Sequence, residues 1–254
     1  MIVTNGHCYE DGLIDFGDAV VGAVSKRVFL LMTRDGAWVA ASLMATRVLY
    51  ATMTDTDSAL YELATTFEAI AREHGIDPLT IDDHGAAAGA PIAIVSGLRR
   101  TTYVCAVDAL VHEIDESWWK WRSAIRYTQP GCFATHGTSG SPVIDRRTGL
   151  VVGIHNTFDS GGERCTMDNP CEVEADGGVA TMSGAAYGQQ LFWIYGCLTP
   201  SNAVDLSRPG CRLTKPRDTA RDRRTDPASH GLGTSRPEPG PRKLGPSRRE
   251  VIAL

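Results

Sequence analysis

Short apolar or alternating runs, separated by turn residues, recur along most of the chain. They lie at Ala19–Val21, Arg27–Met32, Ala37–Ala40, Val48–Ala51, Ala59–Leu63, Ala93–Gly97, Tyr103–Val107, Ala109–Ile114, Val143–Ile144 and Leu150–His155. Runs of this length predict strands, and a succession of short strands predicts a β-barrel or a β-sandwich. A single helix is expected to begin at a capping box formed by Thr65 and Glu68 and to end at Gly75. The sequence therefore predicts an all-β fold.

The composition changes at about Arg212. Residues 212–254 hold 11 basic and 5 acidic side chains and six prolines, but no Phe, Tyr or Trp. Because such a segment buries too little apolar surface to offset the entropy lost on ordering, we expect a disordered tail. A basic tail favours nucleic acid or anionic surfaces, but the aromatic side chains on which single-stranded bases stack are missing. We therefore expect no nucleic-acid partner.

The rest of the chain has an ordinary globular composition. The whole chain has 254 residues, of which 43% are hydrophobic, enough for one large core or two small ones. No run of about 18 apolar residues occurs, so we expect no membrane span. Residues 1–3 lead directly into the first motif described below, without a signal-peptide pattern.

The seven cysteines fall mostly into local pairs. Proximity suggests Cys105 with Cys132, Cys165 with Cys171, and Cys197 with Cys211, which leaves Cys8 over. No Cys-x-x-Cys motif supports a zinc or redox site, and we expect no metal or other cofactor. Disulfides of this kind favour an oxidising, extracellular compartment. The alternative, reduced cysteines in a cytosolic protein, stays open at this point.

Three polar side chains that suit nucleophilic catalysis stand far apart in the sequence. They are His7 in the segment Thr4–Cys8, Asp57 before an apolar run, and Ser139 between two glycines. A serine hydroxyl needs a base within hydrogen-bond reach, and the base needs a partner that fixes its tautomer. Ser139 would attack a carbonyl carbon, His7 would take the hydroxyl proton, and Asp57 would hold the imidazole.

The glycines around Ser139 suggest a second component of this chemistry. A backbone that turns sharply and directs several N–H groups at one point needs residues without a Cβ. We expect the N–H groups of Gly137 and Ser139 to form an oxyanion hole for a tetrahedral intermediate.

In these motifs the chain resembles the trypsin-like serine peptidases of the chymotrypsin fold. The matching segments are Val3–Cys8, Asp57–Leu60, Gly137–Val143 and Val152–His155, and their order is His, Asp, Ser. The Ser-Gly-Ser-Pro and Gly-Ile-His sequences are most similar to the bacterial, glutamyl-endopeptidase-like branch. The resemblance covers about residues 2–211.

The resemblance implies two Greek-key β-barrels with the catalytic triad between them. We expect residues 1–90 to form the first barrel, 91–211 the second, and 212–254 the tail. In the family, strands precede the histidine motif and supply a partner for the cysteine beside it. Here His7 lies only six positions after Met1, so the resemblance implies an incomplete first barrel.

The resemblance also implies a substrate pocket. By counting, Phe133 or Ala134 falls near the specificity pocket, where cleavage after Arg or Lys would need an Asp. His155 matches the position that binds the acidic side chain in glutamyl endopeptidases, and His136 lies close to the serine. We take Ala134, His136 and His155 as candidate substrate-binding residues, and a preference for Glu as a hypothesis.

We therefore expect a secreted, monomeric serine endopeptidase that acts on proteins or peptides without a cofactor. The main alternative is a catalytically inactive, protease-derived binding module. An α/β-hydrolase is disfavoured, because the required Gly-x-Ser-x-Gly ends here in Ser141.

The acidic residues Glu163, Asp168, Glu172 and Glu174 fit no EF-hand spacing and predict a solvated loop. Trp118, Trp119 and Trp121 are expected to pack in the core or at a barrel rim.

Overall fold

A computed structural model describes residues 1–33 and 35–217 and the backbone of residues 250–252. Its regular elements are almost all strands, which confirms the all-β prediction. The helix α1 spans Phe67–His74, and Gly75 ends it in the left-handed conformation. Its N-cap is Thr66, which accepts a hydrogen bond from the amide of Ala69. The helix therefore begins one residue later than the Thr65 capping box predicted.

The first sheet is built from the first third of the chain. Its strands are β1 (Ile2–Thr4), β2 (Ala19–Val20), β3 (Ala23–Val24), β4 (Val28–Met32), β5 (Val39–Thr52) and β6 (Ser58–Leu63), and a later strand, Glu250–Ile252, joins it. The order is β1-β6-β5-β4 followed by Glu250–Ile252, with β2 and β3 also on β5. In the part of the chain that the structure describes, no pairing between β1 and β4 closes this sheet, so β1 is an edge strand.

The second sheet closes on itself. Its strands are β7 (Pro91–Ser96), β8 (Thr101–Glu116), β9 (Trp119–Tyr127), β10 (Pro142–Asp145), β11 (Val151–Phe158), β12 (Cys171–Val173), β13 (Val179–Ala180) and β14 (Ala186–Gln190). Their order is β13-β12-β8-β7-β10-β11-β14-β9. Strand β8 also pairs with β9, so the six strands from β8 to β9 in this order form a closed ring. The result is an antiparallel barrel, with β12 and β13 attached outside the ring.

Apolar side chains from both sheets meet between them. Tyr50 and Leu60 of the first sheet pack in one buried cluster with Ile154 of the barrel and with Leu191 and Leu213 from the C-terminal part of the chain. This shared core fixes the two sheets against each other, and the loops at their junction are held in place.

The β8–β9 hairpin extends beyond the barrel and contacts the first sheet. The amide of Asp55 donates to Lys120, and the amide of Arg122 donates to Asp55. The indole N–H of Trp121 donates to the carbonyl of Met53 at 3.1 Å. The hairpin thus holds residues 53–55, which lead directly to Asp57.

The tryptophan group divides between core and surface. Trp119 and Trp121 are buried, as the packing prediction required, whereas Trp118 at the hairpin tip is 67% exposed. The buried Trp119 donates its indole N–H to Ile14. Packing of two of the three aromatic rings against the first sheet therefore anchors the hairpin.

All three predicted disulfides are present: Cys105–Cys132, Cys165–Cys171 and Cys197–Cys211. Cys8 lies outside these bonds. Cys105–Cys132 connects β8 to the loop that leads to Ser139, so it limits the movement of that loop relative to the barrel.

The predicted disordered tail lies mostly outside the described residues, but its first part does not. Leu213 is buried, the phenol of Tyr50 donates to the carbonyl of Thr214 at 3.0 Å, and the amide of Arg217 donates to Asp18 at 3.1 Å. Residues 212–217, at the start of the predicted tail, thus contact the first sheet. Their few apolar and backbone groups find partners on the first sheet, which composition alone does not show.

Candidate active site

His7 follows directly from β1 on a short 3₁₀ helix, Gly6–Cys8. The turn is possible only because residue 6 is glycine. A Cβ on Gly6 would lie 1.9 Å from the carbonyl oxygen of Thr52 and 2.9 Å from Oδ1 of Asp57. The sequence Asn-Gly-His thus permits a close approach that brings the imidazole beside β5 and β6.

Asp57 holds His7 at two points. Its Oδ2 lies 2.6 Å from Nδ1 of the imidazole, and its Oδ1 accepts the backbone amide of His7 at 2.8 Å. Asp57 is fully buried, and its carbonyl accepts the side-chain amide of Asn5 at 3.1 Å. Pairing of β1 with β6, which sets Thr4 opposite Ala59, produces this arrangement. Two of the three predicted catalytic side chains are therefore in direct contact.

The environment of His7 favours the protonated imidazole. Burial acts to lower the pKa of His7, but the negative charges of Cys8 and Asp57 outweigh it and hold the pKa well above its usual value. The side chain is still 27% exposed. Because Nδ1 faces Asp57, Nε2 is the ring nitrogen left to exchange a proton with another group.

In the loop that carries Ser139, some backbone amides donate hydrogen bonds to other backbone groups and others do not. The amide of Thr138 donates to Thr135, that of Gly140 to His155, and that of Ser141 to Thr138. Among the described residues, the amides of Gly137 and Ser139 have no hydrogen-bond partner. Gly137 has a φ of +86°, which is accessible to glycine. Within residues 137–141, the two amides without a partner are thus those named as oxyanion donors; the amides of residues 131–136 also have none among the described residues.

Ser139 is half-buried, and within the described ranges its hydroxyl makes no hydrogen bond. The loop nevertheless packs closely on the strand that leads to His7. A Cβ on Gly140 would lie 2.2 Å from Oγ1 of Thr4, so glycine is needed here as well. The loop of Ser139 therefore contacts β1, but the hydroxyl of Ser139 and the imidazole of His7 are not hydrogen-bonded.

The three candidate substrate-binding residues differ in exposure. His136 is exposed, with its ring edge against Phe158 and Nε2 at 3.9 Å from Asp168. Ala134 and His155 are buried, and Nδ1 of His155 has no hydrogen-bond partner among the described residues. Burial, together with the positive charge of His7, lowers the pKa of His155 to about 3. His155 is therefore neutral at neutral pH.

Three residues near the site were not given a role from the sequence. Asn5 belongs to the histidine motif, and its contact with Asp57 was within reach of sequence reasoning. Glu116, whose pKa the positive charge of His7 acts to lower, lies more than a hundred positions away. Arg99, which contacts the carbonyl of His136, lies in a turn before β8. Only the folded chain brings the last two to the site.

The described residues offer little for metal binding. Asp82, Asp83 and His84 place three potential ligand atoms within 4.8 Å of one another, but Asp83 and His84 are exposed. In the acidic loop, the carboxylate of Glu172 accepts hydrogen bonds from Arg126 and Tyr187. Among the described residues, no helical segment has the length and apolar composition that a membrane span needs.

Comparison with known proteins gives one family. Residues 1–154 match the family model of the trypsin-like peptidase domain. No curated protein matches the chain.

Several solved structures are similar at low identity. A chymotrypsin of Cellulomonas bogoriensis shares 16% identity, with 74% of this chain and 77% of that chain covered and a TM-score of 0.38. A glutamic acid specific serine protease that uses a histidine triad in substrate binding shares 17%, with 74% and 78% covered and a TM-score of 0.37. The Nocardiopsis protease shares 13%, with 70% and 92% covered and a TM-score of 0.35. Similarity this distant says nothing about the substrate of this chain.

Proposed function

The chain belongs to the trypsin-like peptidase domain family, and from that premise we propose that it is a serine endopeptidase that works through an acyl-enzyme. The observation that carries the proposal is the two-point contact of Asp57 with His7. It fixes the orientation of the imidazole and the tautomer with hydrogen on Nδ1, as a general base at Nε2 requires.

The first half of the reaction forms the acyl-enzyme. Nε2 of His7 takes the proton of the Ser139 hydroxyl while the serine oxygen bonds to the carbonyl carbon of the substrate. The carbonyl oxygen becomes an oxyanion, which accepts hydrogen bonds from the amides of Gly137 and Ser139. His7 then gives its proton to the leaving amine, and the carbon–nitrogen bond breaks.

The second half repeats these steps with water. Nε2 of His7 takes a proton from water, whose oxygen attacks the acyl carbon, and the proton then returns to Ser139 as the acid leaves. Asp57 stabilises the imidazolium at each stage without taking a proton. Since His7 must be neutral to act as a base, its raised pKa favours activity on the alkaline side of neutrality.

The missing hydrogen bond between Ser139 and His7 is compatible with this scheme. Catalytic hydrogen bonds are often long in structures without substrate and shorten when substrate is bound. The amides of Gly137 and Ser139 have no hydrogen-bond partner in the described chain, so both are available to donate to an oxyanion in the same scheme.

Labelling with a fluorophosphonate probe tests the proposal. We expect the full chain to be labelled and the Ser139→Ala variant to lose labelling and peptide hydrolysis altogether. Ser141→Ala is the matched control, because it removes a hydroxyl two positions away in the same loop and should leave labelling intact. A folded wild-type protein that is not labelled would overturn the proposal and favour the inactive binding module.

We further propose that Ala134, His136 and His155 line the pocket for the substrate residue before the cleaved bond. A small, uncharged Ala134 gives no counter-charge for Arg or Lys. The neutral imidazole of His155 carries one N–H group, which can donate a hydrogen bond to a carboxylate and so supports a preference for Glu.

Paired peptides that differ only in Glu or Gln before the cleaved bond test this preference. We expect the wild type to have a higher kcat/KM for the Glu peptide, and His155→Leu to reduce the ratio toward one. Thermal melts of both proteins show whether the variant folds. Equal kcat/KM values for the two peptides in the wild type would contradict the assignment of His155.

The three disulfides also support a proposal about location, since such bonds persist in oxidising compartments. We propose that the protein is secreted and acts there on protein or peptide substrates as a monomer.

A further inference from the structure

We infer that Arg99 is a positioning residue of the oxyanion hole, which it orients by holding the carbonyl of His136. The inference rests on the proposed function, because it concerns the amide of Gly137 as an oxyanion donor. Arg99 itself touches neither the proposed nucleophile nor the base.

The contact between Arg99 and the serine loop is direct. Nε of Arg99 donates to the carbonyl oxygen of His136 at 3.0 Å, and Nη2 of the same guanidinium donates to that oxygen as well. A Cβ on Gly137 would lie 3.5 Å from Nε of Arg99. The guanidinium therefore lies against the peptide unit that joins residues 136 and 137.

Holding the carbonyl also fixes the amide. The carbonyl of His136 and the N–H of Gly137 belong to one planar, trans peptide unit, so they point in opposite directions. When the carbonyl faces Arg99, the N–H of Gly137 faces the other way. This N–H has no partner in the described part of the chain, so it is available to a ligand on that side.

The glycine makes such a restraint necessary. Rotating the 136–137 peptide by about half a turn would change ψ of His136 and φ of Gly137 and would present a carbonyl oxygen where the donor should be. Gly137 now has a φ of +86°, and a glycine adopts negative φ values about as readily. The backbone alone therefore does not prevent the rotation, whereas a charged donor on the carbonyl opposes it.

Neighbouring residues restrain both the backbone of Arg99 and the side chain of His136. The amide of Arg99 donates to Oγ of the buried Ser96, and the hydroxyl of Thr101 donates to the carbonyl of Arg99. On the other side, the imidazole of His136 packs edge-on against Phe158. The peptide between His136 and Gly137 is thus restrained by a turn of the barrel on one side and by β11 on the other.

Kinetics of Arg99→Ala and Arg100→Ala test the inference. Arg100 is the adjacent exposed arginine, and within the described chain it makes no hydrogen bond, so it controls for loss of positive charge. We expect Arg99→Ala to lower kcat about ten- to a hundredfold with little change in KM, since full loss of one oxyanion donor costs about a hundredfold or more. Arg100→Ala should retain wild-type kcat.

Three further measurements separate positioning from a general structural role. Adding methylguanidinium should restore part of the kcat of Arg99→Ala, because it can occupy the vacated site beside the carbonyl. A peptide aldehyde, whose bound form places an oxyanion in the hole, should bind Arg99→Ala more weakly by the same factor as kcat/KM falls. The product peptide should bind both proteins equally. Equal losses in the two arginine variants, or a rise in KM alone, would overturn the inference.

A crystallographic comparison does not depend on activity. We expect the wild type to show the His136 carbonyl facing Arg99, and Arg99→Ala to show that peptide rotated or in two orientations. A carbonyl that keeps its orientation in Arg99→Ala would refute the inference. If the wild type proved inactive, this comparison would still decide the role of Arg99, while the proposed function would fail on the labelling experiment.

Discussion

Glu116 is a single acidic residue whose environment differs from that of a surface carboxylate. It is buried at the end of β8, and its Oε1 accepts the amide of Asp168 at 2.9 Å. Burial raises the pKa of Glu116 from 4.5 to about 7. The folded protein therefore binds the proton of Glu116 more tightly than the unfolded chain does, and Glu116 stabilises the fold more in its protonated form.

The first prediction concerns the pH dependence of stability. The contribution of Glu116 should be complete below pH 4.5 and should be lost as the pH rises through about 7. The full loss is about 3 kcal/mol. Glu116→Gln removes this titration. The free energy of unfolding of the variant, relative to that of the wild type, should therefore be higher at pH 8 than at pH 5. Urea unfolding of both proteins at the two pH values measures this difference.

Glu174→Gln is the control, because Glu174 is exposed and its substitution should leave the pH dependence of the wild type unchanged. A difference in unfolding free energy between wild type and Glu116→Gln that stays constant with pH would contradict the assignment of the raised pKa to Glu116.

At the scale of elements, the disulfide Cys105–Cys132 connects a barrel strand to the loop of the proposed nucleophile. Its cysteines are 27 positions apart, compared with 6 for Cys165–Cys171. Replacing the first pair by alanine should lower the free energy of unfolding by about 3.5 kcal/mol, and replacing the second by about 2 kcal/mol. Denaturant unfolding checks both values.

Only the first replacement should also slow labelling of Ser139 in the folded protein, because it frees the loop that positions the serine. The Cys165–Cys171 double variant is the matched control, since it removes a bond of the same kind elsewhere in the second sheet. Equal effects of the two replacements on labelling would show that Cys105–Cys132 does not position the loop.

For the whole molecule, sequence reasoning succeeded where the determinants are local. Alternating runs predicted the strands, short spacings predicted the disulfides, and the order of His7, Asp57 and Ser139 led to the family. The contact between His7 and Asp57 followed from that order. Each of these features can be read from a few neighbouring residues or from a known motif.

Sequence reasoning failed where a contact depends on the path of the whole chain. Glu116 feels the charge of His7 because the long β8–β9 hairpin reaches the first sheet. Arg99 meets His136 because the β7–β8 turn lies beside the serine loop. Residues 212–217 are ordered because the first sheet offers them partners. Periodicity and composition carry no information about such distant pairs, since the energy that forms them comes from packing between elements.

For the proposed peptidase, the position of β1 at the edge of its sheet bears on thermal inactivation. Strands at an edge have neighbours on one side and separate from the fold at lower cost than interior ones. The imidazole of His7 depends on this strand, whereas Ser139 is attached to a closed ring. We therefore expect mild heating to act in two stages. The strand that carries His7 separates first, while the closed barrel still holds Ser139 in place.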